Sequence, residues 1–305
     1  MFFEILKAFI IGLVEGITEW LPISSTGHMI LVDEFLKLNV SSDFLSLFLV
    51  VIQIGAIMAV IILYFRKLNP FALSKTSQER HATWRLWGMV VVGCLPAAVI
   101  GILFDDLADK YLFKAPVVAA MLILYGIVFI VIEGRNRRMA KSSQSAVSLG
   151  KHARVSEDVE LVDLDKKAPS VDDITPSIAF KIGLFQCLAI VPGTSRSGAT
   201  IIGGMLSGCS RIAATEFTFF LAIPVMFGWG LLKVAKYLMA GLSMSNTEIA
   251  VLVVGILTAF VVSVISIKFL MSYIKRNDFT AFGIYRIIVG VVVLAYFGAK
   301  GIGLL

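Results

Sequence analysis

The sequence predicts an all-α polytopic membrane protein: six transmembrane helices plus two re-entrant helical hairpins, arranged as an inverted repeat. Three observations predict this. Apolar residues fill 58% of the 305 positions and charged residues 16%, against about 45–50% and about 25% in soluble domains. Several apolar runs reach the roughly 20 residues that a helix needs to cross a bilayer. Two further apolar stretches are interrupted midway by proline and polar residues, and the two interruptions match each other.

The elements follow in order. Residues 4–21 are apolar but carry Glu15 and Glu19 and break at Pro22. The next piece, 27–38, is about 18 Å long at about 1.5 Å per residue, too short for a hydrocarbon core of about 30 Å. Spans are expected at 44–65, 86–104 and 115–133. Residues 134–176 are polar, with nearly balanced charge, and read as a loosely ordered linker. Residues 177–191 break at Pro192-Gly193, 195–208 follows, and spans are expected at 212–236, 249–271 and 283–304. The organisation is a first repeat at 1–133, a cytoplasmic linker at 134–176 and a second repeat at 177–305. Broken helices at membrane depth are tolerated where they are buried in protein or line a wet cavity.

The two hairpins align at an offset of about 170 residues with one gap, pairing Pro22 with Pro192 and Glu15 with Gln186. Three spans follow each copy, and an odd number inverts the second copy relative to the first. In such folds the site lies where the broken helices meet, near mid-membrane. Basic residues concentrate at Arg66, Lys67, Lys75, Arg80, Arg85, Arg135, Arg137, Arg138, Lys275 and Arg276, while Asp105, Asp106 and Asp109 lie on the other side. The basic side is expected to be cytoplasmic, which puts both termini outside. No cleavable signal is expected at the N-terminus, because Lys7 interrupts its apolar run. The net charge of +6 is explained by these loops, and no basic face exists for nucleic acid. Cys94, Cys187 and Cys209 have neither disulfide nor metal spacing.

Glu15 and Glu19 are four apart and share a helix face. Carboxylates in an apolar segment are costly and usually mark function. Such a pair can share a proton, bind a divalent cation, or divide into acid and base. Beyond Pro22, Ser24 or Ser25 can cap the next half-helix, whose N-terminus suits a phosphate. Thr26 and His28 fall on its first turn. The second hairpin repeats the design with Thr194, Ser195, Arg196, Ser197 and Thr200. Arg196 can clamp a phosphate, neutralise the carboxylates, or snorkel to the interface. Together these groups suit phosphoryl transfer.

The stretches EGITEWLPISSTGHMI and PGTSRSGAT resemble the two signature motifs of the undecaprenyl-diphosphate phosphatase, or bacitracin-resistance, family. The likeness extends through VVIQIGAIMAV, AATEF at 213–217 and IYR at 284–286, and departs mainly in the long polar loop near 134–176. It implies hydrolysis of undecaprenyl diphosphate to the monophosphate, recycling the carrier lipid for peptidoglycan synthesis. It further implies Glu15 and Glu19 as essential carboxylates or holders of a divalent cation, Mg or Ca, and Ser25 as nucleophile. His28 is a rival nucleophile or a general acid. Arg196 would hold the diphosphate, with Ser24, Thr26, Gln186, Ser195, Ser197 and Thr200 as substrate-binding residues. A homodimer in the bacterial inner membrane, with its site open to the periplasm, completes the expectation. The alternative is a flippase for the carrier lipid, which needs a phosphate clamp but no nucleophile. A type-2 phosphatidate phosphatase is disfavoured: Ser195-Arg196 is not followed by the histidine that class requires.

Overall fold

The computed structural model describes the backbone of residues 1–112, 114–148 and 166–301, and their side chains except at 33, 102, 105–110 and 140–148. The described residues are helical with no strand. The first hairpin is α1 (Phe2–Thr18) and α2 (Ser25–Phe35). It is followed by α3 (Ser42–Leu63), a single turn α4 (Phe65–Leu68), α5 (Ser77–Leu112) and α6 (Ala115–Ser148). The second hairpin is α7 (Pro176–Cys187) and α8 (Arg196–Leu206), followed by α9 (Arg211–Met239), α10 (Asn246–Ile274) and α11 (Thr280–Gly301). Helices α3, α5, α6, α9, α10 and α11 contain the six apolar segments long enough to cross a membrane. The chain is a multi-pass membrane protein.

Several expected boundaries move. The second span begins at Ser77 rather than 86, so the basic residues Arg80 and Arg85 lie on α5 instead of in a loop. Acidic positions 105–110 likewise fall on the end of α5, with side chains outside the described residues. Helix α6 continues past 133 to Ser148, so the first part of the polar linker is helical. Its far end is also built in. Arg85 donates to the carbonyls of Asp172 and Ile174, and the backbone of Ala168 bonds Gly208 and Ser210. The middle of the linker, 149–165, lies outside the described residues.

The repeat is closer than an alignment with a gap suggests. Gly12, Glu15, Ser24 and Gly27 recur as Gly183, Gln186, Ser195 and Gly198 at a constant offset of 171 residues. In this register Pro22 faces Gly193, and no gap is needed. The matching prolines distract from the true correspondence because a turn tolerates proline at more than one position.

The repeats interlock. Helix α1 packs on α10 of the other repeat, and α7 packs on α5. Both contacts depend on glycine. A Cβ on Gly12 would lie 2.7 Å from the Gly255 carbonyl oxygen, and one on Gly183 would lie 2.2 Å from that of Gly93. Small residues let helices approach where lipid offers no hydrophobic drive between them. The third spans, α6 and α11, pack on each other. Near the basic end, buried Glu133 accepts Arg211 Nε at 2.9 Å and Nη2 at 2.6 Å, and also the Phe279 amide at 3.2 Å. This bidentate pair ties α6, α9 and the approach to α11 together.

Candidate active site

Each hairpin turns through a strained serine. Ser24 has φ 73° and Ser195 has φ 71°, the described non-glycine residues with positive φ. Backbone of this kind costs about 1–3 kcal/mol and persists where its surroundings over-determine it. Both serines are N-caps. Ser24 Oγ accepts the Gly27 amide at 3.3 Å, and Ser195 Oγ accepts the Gly198 amide at 3.1 Å. The preceding half-helices end close by, α1 at Thr18 and α7 in a single 3-10 turn at Leu188–Ile190. The N-termini of α2 and α8, whose first-turn amides have no partner within the helix and carry its positive dipole end, thus both start at the breaks.

Glu19 joins the two hairpins. Its Oε2 accepts Ser25 Oγ at 2.7 Å, and its Oε1 accepts Arg196 Nη2 at 3.0 Å. The Glu19 and Arg196 side chains are 11% and 13% exposed, so the pair is largely desolvated. Removing one partner of such a pair costs about 3–5 kcal/mol. Arg196 Nη1 donates to the Thr218 carbonyl at 3.3 Å, and the guanidinium lies 6.0 Å from the ring of fully buried Trp20. Glu15 is 2% exposed, its Oε1 has no hydrogen-bond partner, and it interacts electrostatically with Glu19 and Arg196. Of the three roles open to Arg196, neutralising a carboxylate is visible, and it leaves the guanidinium at the break.

His28 sits on the first turn of α2. Its Nδ1 is 2.7 Å from the Ser24 carbonyl. A carbonyl only accepts, so Nδ1 carries the proton. Nε2 then faces the Tyr285 hydroxyl at 2.8 Å, with the two rings nearly parallel at 4°. Both imidazole nitrogens are engaged.

The remaining expected residues divide. Ser197 Oγ donates to the carbonyls of Glu19 at 3.1 Å and Leu21 at 3.4 Å, stitching α8 to the first break. Thr200, fully buried, donates to Arg196 O at 2.9 Å and accepts Thr218 Oγ1 at 2.8 Å. These hydroxyls are occupied within the protein. Thr26 is half-buried with no side-chain hydrogen bond among the described residues. Gln186 is 4% exposed, and neither of its amide atoms has a partner.

Arg286 and Tyr285 have no role that the sequence alone assigns, and nothing in the sequence singles out Trp20, Thr218 or Tyr125. Arg286 is fully buried and donates to Pro22 O at 3.1 Å, Gly193 O at 2.8 Å and Thr194 O at 2.9 Å. The available signal was an arginine inside an apolar span, which is rare without a function.

The pattern extends to known proteins. Residues 8–292 match the family model described as "Bacitracin resistance protein BacA". The chain is 52% identical over 296 residues to a protein of Enterococcus faecalis (strain ATCC 700802 / V583) named undecaprenyl-diphosphatase, covering 97% of this chain and 98% of the relative. It is 52% identical over 300 residues to a protein of the same name from Desulfitobacterium hafniense (strain DSM 10664 / DCB-2), covering 98% of both. A Streptococcus thermophilus (strain ATCC BAA-250 / LMG 18311) protein of that name is 50% identical over 297 residues, 97% of this chain and 94% of the relative. The matched residues 8–292 take in both breaks and at least part of every span, and the chain belongs to the BacA family of bacitracin resistance proteins.

Proposed function

We infer that this protein is an integral membrane phosphatase that hydrolyses undecaprenyl diphosphate to undecaprenyl phosphate and phosphate. The recycled carrier lipid serves peptidoglycan synthesis, and its supply confers bacitracin resistance. One observation carries the mechanism: a single carboxylate, Glu19, holds the Ser25 hydroxyl at 2.7 Å and the Arg196 guanidinium at 3.0 Å. That contact supports reading Ser25 as nucleophile, Glu19 as its base and Arg196 as anion clamp, the parts that phosphoryl transfer needs.

In the proposed reaction Arg196 and the amides opening α2 and α8 receive the diphosphate. Ser25 Oγ attacks the terminal phosphorus as its proton passes to Glu19. The bond to the bridging oxygen breaks, and undecaprenyl phosphate departs with the electron pair. Glu19 releases its proton and then takes one from the water that attacks phosphoserine, while Ser25 Oγ leaves and is reprotonated. His28 is the weaker nucleophile, because its Nδ1 proton is held by Ser24 O and its Nε2 lone pair faces a hydroxyl. Its place on the first turn of α2 suits orientation instead.

A divalent cation, Mg or Ca, is part of the proposal. Glu15 Oε1 is buried with no hydrogen-bond partner, which leaves a carboxylate oxygen free for a cation. Among the described residues no cluster of three or more His, Cys, Asp or Glu is present. Glu15, with Glu19 beside it, would hold such an ion. When bound, the ion would neutralise charge on the diphosphate. The charge bias supports a basic side that is cytoplasmic, and the bacterial inner membrane is the location that the likeness to the family implies. A periplasm-facing site and a homodimer rest on the likeness to the family.

The test is phosphate release from undecaprenyl diphosphate by the detergent-purified protein. The wild type should turn over, while Ser25→Ala and Glu19→Gln should each lose at least about 1,000-fold, in the range reported for loss of key phosphoryl-transfer groups. Full hydrolysis by both variants would remove this mechanism and favour a carrier that moves the lipid without cleaving it.

A further inference from the structure

Arg286 lies on α11, the last span, yet it contacts the breaks of both hairpins. Its Nη1 donates to Pro22 O, two residues before strained Ser24. Its Nη2 donates to Gly193 O and Thr194 O, immediately before strained Ser195. A Cβ on Gly198 would lie 3.2 Å from its Nη1, so the guanidinium rests against the first turn of α8. On another side it lies 5.5 Å from the Tyr125 ring. Among the described residues no carboxylate is within ion-pair distance of it.

A fully buried guanidinium without a counter-ion is an expensive way to fill space. What it supplies here is a planar fork of donors. Interrupted helices leave carbonyls in want of partners, and one fork satisfies three of them across two breaks. We propose that Arg286 is a positioning residue for the phosphoryl transfer: it holds the two breaks at one separation, and so sets Ser25 on the first hairpin against Arg196 on the second. This rests on the phosphatase reading above. The Glu19–Arg196 pair and the Ser197 hydroxyl on Glu19 O and Leu21 O span the same breaks, and Arg286 adds the contacts to the turn carbonyls beside both strained serines. A lysine could reach one of the three carbonyls while keeping the charge, and would leave the breaks free to shift.

The experiment uses full-length protein in detergent with undecaprenyl diphosphate. Arg286→Lys is expected to lower kcat by about 100-fold with KM changed less than about 3-fold and a monodisperse, folded protein, since a misplacement of about 1 Å costs on that order. In an Arg196→Lys background, Arg286→Lys should cost less than about 3-fold more, because the separation it guards no longer serves an aligned clamp. Tyr125→Leu, which removes the ring the guanidinium rests against and so loosens its aim at the three carbonyls, is the second variant should Arg286→Lys not fold. It is expected to lower kcat by about 5-fold at unchanged KM.

A rise in KM at unchanged kcat would overturn the proposal, because Arg286 would then contact substrate. Losses that multiply between Arg196→Lys and Arg286→Lys would overturn it as well, as would activity that falls only in step with the folded fraction. If neither Arg286→Lys nor Tyr125→Leu alters kcat, the residue is packing and the proposal fails. Absence of hydrolysis by the wild type would sink the phosphatase reading and this inference together, whereas hydrolysis with any of the other results sinks only the inference.

Discussion

Glu19 uses both carboxylate oxygens, one on the Ser25 hydroxyl and one on the Arg196 guanidinium, and that double engagement gives residue-scale predictions. Arg196→Lys keeps the charge but loses the fork, so kcat is expected to fall by about 10–100-fold in the phosphate-release assay, with Arg196→Ala worse. The strained caps predict an order of stabilities. At Ser24, alanine loses the cap and keeps an unfavourable φ, whereas glycine loses the cap but adopts that φ freely. Ser24→Ala should therefore be less stable than Ser24→Gly by about 1–2 kcal/mol, read as a lower thermal midpoint in detergent. The same order is expected at Ser195, and equal midpoints would deny the strain. The carboxylates, the serines and Arg196 were legible in the sequence because charged or hydroxyl groups within apolar runs stand out. Which hydroxyls are taken up within the protein was not legible. Ser197 and Thr200 look like ligands in sequence, but they spend their hydroxyls on the carbonyls of Glu19, Leu21 and Arg196, a matter of side-chain direction that spacing does not encode.

At the scale of elements, the hairpins depend on close helix crossings. Gly183→Ala would drive a Cβ to 2.2 Å from the Gly93 carbonyl oxygen. Backbone cannot yield cheaply there, and overpacking of this kind costs about 1–3 kcal/mol. Gly134 on α6 has nothing within 4 Å of such an atom, so Gly134→Ala should be neutral or slightly stabilising by helix propensity. Thermal midpoints of the two variants check the contrast, and equal shifts would contradict the packing. The half-helices were predictable from their proline breaks and short length. The starts of α5 and the extension of α6 were not, because Arg80, Arg85, Arg135 and Arg137 read as loop in a membrane protein, whereas a helix can continue beyond the bilayer into water with its charged residues solvated. Asp278 and Glu133 show what anchors that emergent end: Arg137 Nε donates to Asp278 at 2.6 Å, and Glu133 takes Arg211. Neither pairing has a sequence signature, since the partners are 141 and 78 residues apart.

For the whole molecule, the two matching motifs and the three spans between them were legible in the sequence, and the odd count predicts an inverted second copy. The interlocking was not, because it depends on which repeat each hairpin packs against. Inversion predicts opposite exposure of the connecting loops. A cysteine at exposed Ser74, on the basic side, should be labelled only from the cytoplasm, and one at exposed Ser243 only from outside, in a background lacking Cys94, Cys187 and Cys209. Labelling of both from one face would contradict the topology. The central claim, that two oppositely inserted hairpins build one phosphoryl-transfer pocket around Glu19, is tested most directly by trapping the covalent intermediate. Rapid acid quench during turnover of substrate labelled in its terminal phosphate, followed by peptide mapping, should place the label on Ser25 of the first hairpin. The label should be lost when Arg196 of the second hairpin is replaced by alanine. Label on His28, or undiminished label on Ser25 without Arg196, would contradict it.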